Sequence, residues 1–215
     1  METSITSGTY KPGIWQKLVK EISSQDISTR QSLRGRVTEV SDLLHERHGH
    51  AKFPFPSVYL IQLAVIALAS GLSFLNTPLI GSLATFLLAL TLQPAIKATA
   101  GLVLGIRYSY AYLWYFEPRF KMQYGYYLCC PAWRRITFQF IGSIGTPLAM
   151  LIGMHLLKDI SYLFWACFVG FIAFTLMQLA AFIAALADVR RIGPFTLRHL
   201  TTPAMLGFEL KQVIR

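Results

Sequence analysis

The sequence predicts an all-α integral membrane protein with four transmembrane helices, arranged as two hairpins and flanked by interfacial amphipathic helices at both ends. Three observations predict this class. Of the 215 residues, 54% are hydrophobic and only 14% are charged, the mean hydropathy is +0.47, and the basic residues flank the apolar stretches. A soluble domain averages about 25% charged residues, so we expect lipid rather than water to surround the apolar residues.

Residues 1–56 are predicted to form a cytoplasmic or interfacial amphipathic segment. Two stretches place apolar residues three or four positions apart, which is the spacing of one helix face. These residues are Trp15, Leu18, Val19 and Ile22 in the first stretch and Leu33, Val37, Val40 and Leu44 in the second. Asp26 and Ser28 are candidate N-caps of the second helix, and Gly49 is a candidate stop. The segment lacks the apolar core and cleavage site of a signal peptide, so membrane insertion is expected to use internal helices.

Four long apolar runs follow, each long enough at about 1.5 Å per residue to cross a hydrocarbon core of about 30 Å. The predicted spans are Ser57–Leu75, Gly81–Arg107, Ile136–Leu157 and Leu163–Ala187. The first two form a hairpin over residues 57–107, because an uncharged turn of three residues joins them. The last two form a second hairpin over residues 136–187, joined at Lys158 and Asp159.

Residues 108–135 are predicted to be a cytoplasmic connector rich in aromatic and basic residues, and partly a helical extension of the second span. Small, polar and tyrosine residues recur at spacings of three and four and therefore share one helix face. They are Gln93, Lys97, Gly101, Gly105, Tyr108, Tyr112 and Tyr115. We expect one continuous helix from Gly81 to Phe116, ended by Pro118. Gly101 and Gly105 form a small-xxx-small pair that permits close helix packing.

The distribution of lysine and arginine predicts the orientation. Of the 20 residues, eight precede the first span, six lie from Lys97 through Arg135, one lies in the last short loop and five follow the fourth span. Because lysine and arginine accumulate on the cytoplasmic side, both termini are expected in the cytoplasm, and the protein in a bacterial-type plasma (inner) membrane. Residues 188–215 are expected to form a cytoplasmic or interfacial tail. Because the lysine and arginine residues flank apolar stretches, anionic lipid headgroups are favoured over nucleic acid as a partner.

Three polar residues fall inside the predicted spans: Gln93, Lys97 and Gln178. The two glutamines are expected to hydrogen-bond between helices, and a contact between them is one arrangement. A lysine near the middle of a span costs about 2.5 to 3.5 kcal/mol on insertion scales. Two interpretations of Lys97 stay open: its side chain snorkels toward the cytoplasmic interface, or it makes a buried functional contact.

The aromatic and basic residues of the connector also have two interpretations. Tyrosine, tryptophan, arginine and lysine are typical of a membrane-interface belt. The alternative is a pocket for a lipid phosphate or pyrophosphate, because guanidinium groups match phosphate oxygens. Candidate lipid- or phosphate-binding residues are Lys97, Arg107, Arg119, Lys121, Arg134 and Arg135, and candidate catalytic residues are Glu117, Asp188 and Tyr108. The sequence lacks the paired acidic motifs of a magnesium-dependent prenyl transferase.

The sequence predicts neither a metal site nor a cofactor. His45, His48 and His50 are close neighbours, but the chain has five histidines in all, fewer than the roughly eight of a diiron membrane desaturase. We interpret this stretch as a solvated polar linker, and the alternative is a single weak metal site. The three cysteines contain no CxxC pair. Cys129 and Cys130, before a proline, are interpreted as an interfacial turn, and the alternative is an acylation site.

Three functions stay open, because the sequence lacks the common nucleophile and nucleotide-binding motifs. The first is a non-catalytic membrane subunit or scaffold, whose basic, aromatic cytoplasmic rim binds anionic lipid, a membrane protein partner or a second copy of the chain. The second is an enzyme of lipid or isoprenoid metabolism with a phosphate-binding pocket at the cytoplasmic interface. The third is a small oligomeric transporter in which Lys97 and Gln93 line the path.

Overall fold

The computed structural model describes residues 10, 13–75, 77–115, 117–187, 189, 191–192, 195–196 and 201–214. The chain is mostly helical. The helices are α1 (Ile14–Ser24), α2 (Ile27–Glu46), α3 (Phe55–Leu72), α4 (Pro78–Val103), α5 (Tyr124–Cys129), α6 (Ala132–Leu156), α7 (Ser161–Leu186) and α8 (Thr201–Ile214). The strands are β1 (Lys52–Phe53), β2 (Tyr108–Trp114), β3 (Glu117–Met122), β4 (Arg191–Ile192) and β5 (Phe195–Thr196).

These elements form two compact units. The first unit consists of the described residues of Met1–Phe55 and Gly105–Pro131, and the second of those of Pro56–Leu104 and Ala132–Arg215. The first unit therefore holds α1, α2, α5 and the antiparallel sheet of β1, β2 and β3. The second unit holds the long apolar helices and α8.

Four helices are long and apolar enough to span a membrane, as the sequence predicts. They are Phe55–Leu75, Pro78–Val103, Ala132–Leu156 and Ser161–Leu186, with 21 to 26 residues and mean hydropathies of 1.5 to 2.2. The first and last of these keep most of their side chains exposed within the chain. Apolar side chains in that position are those that lipid solvates in a multi-pass membrane protein.

Helices α4 and α6 run antiparallel at close distance because small residues line their contact. A Cβ atom at Gly145 would overlap the backbone of Gln93, and one at Gly153 would lie 2.6 Å from Thr85 Cγ2. Positions without a side chain let two backbones approach, which favours helix association in lipid. The buried apolar core beside this contact consists of Ala69, Ala84, Leu88, Leu92 and Ala149.

The C-terminal helix α8 packs against α6 and α7. A Cβ atom at Gly207 would lie 2.7 Å from Ala185 Cβ and 3.0 Å from the Phe182 carbonyl oxygen, so α8 and α7 approach closely. Glu209 Oε2 lies 3.1 Å from Arg135 Nε, and the two side chains are only 1% and 4% exposed. This buried ion pair ties α8 to the first turn of α6.

The predicted helical extension of the second span is wrong. Helix α4 ends at Val103, and Gly105, which has a φ of +78°, occupies the left-handed position that commonly ends a helix. Residues 108–122 then form the antiparallel strands β2 and β3. The aromatic residues of β2 are Tyr108, Tyr110, Tyr112 and Trp114. Their alternation has the period of a strand, and β-branched and aromatic residues favour strands. The chain is therefore not all-α, and Gly105 is a helix stop rather than half of a packing pair.

In the first unit, α2 begins as predicted, because the Asp26 carboxylate accepts hydrogen bonds from the backbone N–H groups of Ser28 and Thr29. Helix α2 packs against α5 at Gly125, where a Cβ atom would overlap the carbonyl oxygen of Arg34. The Gly125 N–H donates to Thr38 Oγ1 at 3.0 Å. Only glycine fits this crossing, which fixes α5 against the middle of α2.

Candidate anion-binding site

Two arginines from different parts of the first unit contact one tyrosine ring. Arg34 lies on α2, Arg107 precedes β2, and their guanidinium carbons lie 4.9 Å and 4.5 Å from the centre of the Tyr126 ring on α5. One helical turn before Arg34, Arg30 donates a hydrogen bond from Nη1 to the Leu128 carbonyl oxygen at 3.1 Å. We call Arg30, Arg34, Arg107 and Tyr126 the arginine cluster.

The backbone holds the cluster in place. Arg30 and Arg34 are four residues apart and so share one face of α2, and the close crossing at Gly125 carries Tyr126 to that face. Arg107 is fixed because its carbonyl oxygen accepts a hydrogen bond from the Gln123 N–H at 2.8 Å. The four residues of the cluster therefore come from three separate segments: two arginines from α2, Arg107 from the segment before β2 and Tyr126 from α5.

The charge of the cluster is not neutralised within the described part of the chain. None of Arg30, Arg34 and Arg107 has a described carboxylate oxygen within 4.0 Å. Arg34 and Arg107 are exposed, so a ligand has access to both. Cys129 lies near these cations: burial raises the pKa of its thiol, and Arg30 and Arg34 oppose that rise.

The predicted phosphate-binding residues of the first unit do not act together. Arg119 donates from Nε and Nη2 to Glu117 Oε2, at 2.8 Å and 2.7 Å. Lys121 Nζ lies 3.2 Å from Asp42 Oδ1, and the lysine side chain is 11% exposed. Both cations are therefore paired with carboxylates, and of the three predicted cations in this unit only Arg107 is left without one among the described residues.

The predicted phosphate-binding residues of the second unit also have internal partners. Lys97 Nζ lies 5.1 Å from the centre of the Phe138 ring, Arg134 donates from Nη1 to the Leu104 carbonyl oxygen at 3.4 Å, and Arg135 forms the buried ion pair with Glu209. The Lys97 side chain is half-buried. These contacts hold helices and helix ends together.

The predicted catalytic residues are not brought together. Glu117 pairs with Arg119, whereas Tyr108 stacks on Phe55 with ring centres 4.6 Å apart. Glu117 lies opposite Trp114 in the sheet, six residues along β2 from Tyr108, which is a distance of about 20 Å at about 3.3 Å per residue. Asp188 lies outside the described residues.

The polar residues of the spans have a packing role where their contacts are described. Gln93 Nε2 donates to the Gly142 carbonyl oxygen at 3.2 Å, and the Thr146 hydroxyl donates to Gln93 Oε1 at 2.5 Å. The expected hydrogen bond between helices therefore joins α4 to α6. Gln178 lies half-buried on α7.

A second group of polar and aromatic residues surrounds His45 at the end of α2. The ring centres of His45, His48 and His50 lie 5.6 to 6.1 Å apart, and Tyr110 Oη lies 2.9 Å from His45 Nδ1. The rings of Tyr112 and Trp114 pack on His50 with centres 5.4 Å and 5.2 Å away. We call these six residues the histidine cluster. The interpretation of this stretch as a solvated linker is wrong for His45, which packs inside the cluster.

Burial shifts the pKa values of His45, Tyr110 and Lys121, and neighbouring cations add to the shift of His45. Burial, together with Lys121, His50, His48 and Lys52, lowers the pKa of His45 from 6.5 to about 4. Burial raises the pKa of Tyr110 to about 12 and outweighs the attraction of Asp42 to lower the pKa of Lys121. His45 is therefore a neutral imidazole at neutral pH. Among the residues that the structure describes, no group of three or more His, Cys, Asp or Glu side chains is arranged to hold a metal ion.

A comparison with protein-family models, with curated proteins and with solved structures finds no significant match. Function is therefore inferred from the residues of this chain. Sequence reasoning missed Arg30 and Arg34, which lie on the polar face of the amphipathic helix α2. Their spacing of four residues was the available signal, but it does not identify the tyrosine that they approach.

Proposed function

We propose that the chain is a non-catalytic membrane subunit or scaffold whose arginine cluster binds the phosphate groups of anionic lipid headgroups. The observation that carries this proposal is the contact of Arg34 and Arg107 with the one ring of Tyr126, without a carboxylate partner in the described part of the chain. Exposed cations that the fold does not neutralise are available for an external anion.

The chemistry of the cluster suits a lipid phosphate. The planar guanidinium group donates two parallel hydrogen bonds to phosphate oxygens, and tyrosine favours the headgroup region because its ring is apolar and its hydroxyl is polar. Each arginine near an anionic membrane surface contributes about 1 kcal/mol of attraction. Two uncompensated arginines therefore provide about 2 kcal/mol, or about 30-fold in affinity.

The orientation belongs to the same proposal. Nineteen of the 20 lysine and arginine residues lie outside the last short loop, and that bias favours two hairpins with both termini in the cytoplasm of a bacterial-type plasma membrane. Helix α1 and the tail then lie at the cytoplasmic interface, where anionic lipids carry the negative surface potential.

The contacts of the other candidates favour a structural role over catalysis or transport. Glu117 is paired with Arg119, and Tyr108 is stacked on Phe55. Glu117 and Tyr108 therefore do not form a catalytic acid–base pair. Gln93 bonds α4 to α6, which is a packing role rather than the lining of a transport path.

Native mass spectrometry of the full chain in mild detergent tests the proposal. With added phosphatidylglycerol, we expect the double variant R34A/R107A to bind about 30-fold more weakly than the unchanged chain. The matched control is Arg36→Ala: Arg36 is exposed on α2, and a residue two positions after Arg34 lies on another helix face. Binding of diacylglycerol, which has no phosphate group, is expected to be equal in all three proteins. Equal phosphatidylglycerol binding by R34A/R107A and the unchanged chain would contradict the proposal.

A further inference from the structure

The histidine cluster joins the end of α2 to the sheet through one hydrogen bond and a set of ring contacts. In the neutral ring that carries its proton on Nε2, His45 Nδ1 accepts the hydrogen bond from the Tyr110 hydroxyl at 2.9 Å. The His45 ring also packs edge-on against Tyr112, with ring centres 4.3 Å apart. A protonated ring would donate from Nδ1 to the Tyr110 oxygen instead, so this bond holds the end of α2 to β2 in either state of His45.

The two carboxylates near His45 already form ion pairs with other cations. Asp42 pairs with Lys121 at 3.2 Å, and Glu46 pairs with Lys52. A proton added to His45 therefore introduces a further positive charge beside two lysines that already pair with the nearby carboxylates. The titratable groups that face His45 are Asp42 and Glu46 on α2, His48 and His50 in the following turn, Lys52 on β1, Tyr110 and Tyr112 on β2, and Lys121 on β3.

Of the three strands in the sheet, β1 is the one that we expect to separate most easily. It consists of Lys52 and Phe53 alone, and it pairs with β2 opposite Tyr112 and Ala111. Edge strands this short depend on side-chain contacts. His50, two residues before β1, supplies such contacts through its packing on Tyr112 and Trp114. Phe55, two residues after β1, begins the first apolar helix.

We propose that the histidine cluster is an acid-sensitive latch: protonation of His45 adds a cation beside Lys52 and Lys121 and releases β1 from the sheet. The latch is closed at neutral pH because burial and the neighbouring cations lower the pKa of His45 to about 4. When β1 is free, His45 takes up its proton nearer its ordinary value of 6.5. Because the open form binds more protons between these two values, the closed form loses stability as the pH falls through this range.

Hydrogen–deuterium exchange of the full chain in nanodiscs, corrected for the intrinsic effect of pH on exchange, tests the latch. Between about pH 7 and about pH 5, we expect opening at residues 48–53 to increase about tenfold or more. Exchange in α5 is expected to stay constant over that range. An opening that is independent of pH, or one that extends equally to α5, would overturn the proposal.

Two variants separate the latch from a general effect of acid. His45→Gln keeps an acceptor but cannot be protonated, so residues 48–53 are expected to open equally at both pH values. His155→Gln removes an exposed histidine at the end of α6 and is expected to behave like the unchanged chain. Unchanged pH dependence in His45→Gln would overturn the proposal.

Discussion

The two units of the chain use arginine in different ways. In the second unit, Arg135 is buried against Glu209 and Arg134 donates to the Leu104 carbonyl oxygen, so each guanidinium has an internal partner. In the first unit, Arg34 and Arg107 are exposed and both contact the Tyr126 ring. The same side chain therefore acts as a structural cation in one unit and is left available for a ligand in the other.

The difference follows from the surroundings of each arginine. A buried cation without a partner is too costly to keep, so the apolar helices hold arginine only where a carboxylate or carbonyl oxygen meets it. An exposed cation keeps its water and needs no internal partner. The fold therefore fixes the positions of Arg34 and Arg107, while no described carboxylate pairs with either of them.

The largest expected effect is the loss of the buried ion pair in the second unit. Glu209→Ala leaves the Arg135 charge buried, so we expect the free energy of unfolding in detergent to fall by about 3 to 5 kcal/mol. Glu39→Ala, at an exposed position of α2, is the control and is expected to change it by less than about 0.5 kcal/mol. The double variant R135M/E209L is expected to regain most of the loss. A loss below about 1 kcal/mol in Glu209→Ala would show that the pair does not hold α8.

The next largest change in the free energy of unfolding is expected where helices pack closely, and it can be compared between the two units. Gly125→Ala and Gly145→Ala each place a Cβ atom on the backbone of a neighbouring helix, so each is expected to lower the free energy of unfolding by about 1 to 3 kcal/mol. Gly35 has no heavy atom within 4 Å of an added Cβ atom, and Gly35→Ala is expected to stabilise α2 by up to about 1 kcal/mol. If Gly125→Ala proved as stable as Gly35→Ala, the crossing that positions Tyr126 would be wrong.

The smallest effect separates the two uses of arginine directly. Arg134→Ala removes one long hydrogen bond, so it is expected to lower the free energy of unfolding by about 1 kcal/mol or less and to leave phosphatidylglycerol binding unchanged. Arg107→Ala removes an exposed contact with the Tyr126 ring, so it is expected to lower the free energy of unfolding by about 1 kcal/mol or less but to weaken lipid binding about fivefold. Thermal unfolding and native mass spectrometry of both variants provide the two measurements. If the two variants bound phosphatidylglycerol equally well, the two units would not differ in their use of arginine.

The sequence predicted the four long apolar helices to within a few residues, because about 20 consecutive apolar residues have no competing interpretation. It also predicted the start of α2 at Asp26, since a side-chain cap is a local signal. The strands β2 and β3 were missed for a physical reason. Tyr108 and Tyr112 fit a spacing of four as well as an alternation of two, and the left-handed conformation at Gly105 that ends α4 leaves no mark beyond a glycine.

The arginine cluster was only partly predictable. Arg107 was a candidate because it lies in a basic, aromatic stretch, but Arg34 lies far away in the sequence and reaches Tyr126 only through the crossing of α2 and α5. Likewise, the charges of Arg119, Lys121 and Arg135 give no sign in the sequence that each has a carboxylate partner. Pairing is a property of the tertiary structure, and it decides which cations stay available.

Nitrogen–phosphorus dipolar NMR most directly tests whether the arginine cluster binds lipid phosphate. The full chain, labelled with ¹⁵N at arginine and placed in nanodiscs containing phosphatidylglycerol, is compared with the R34A/R107A variant. A charge-assisted hydrogen bond brings a guanidinium nitrogen to about 4 Å from phosphorus, so we expect side-chain signals of Arg34 and Arg107 to dephase strongly and those of Arg119 and Arg135 not to. The dephasing is expected to disappear in the variant. Contact with phosphorus at Arg119 or Arg135 and none at Arg34 and Arg107 would contradict the proposed site.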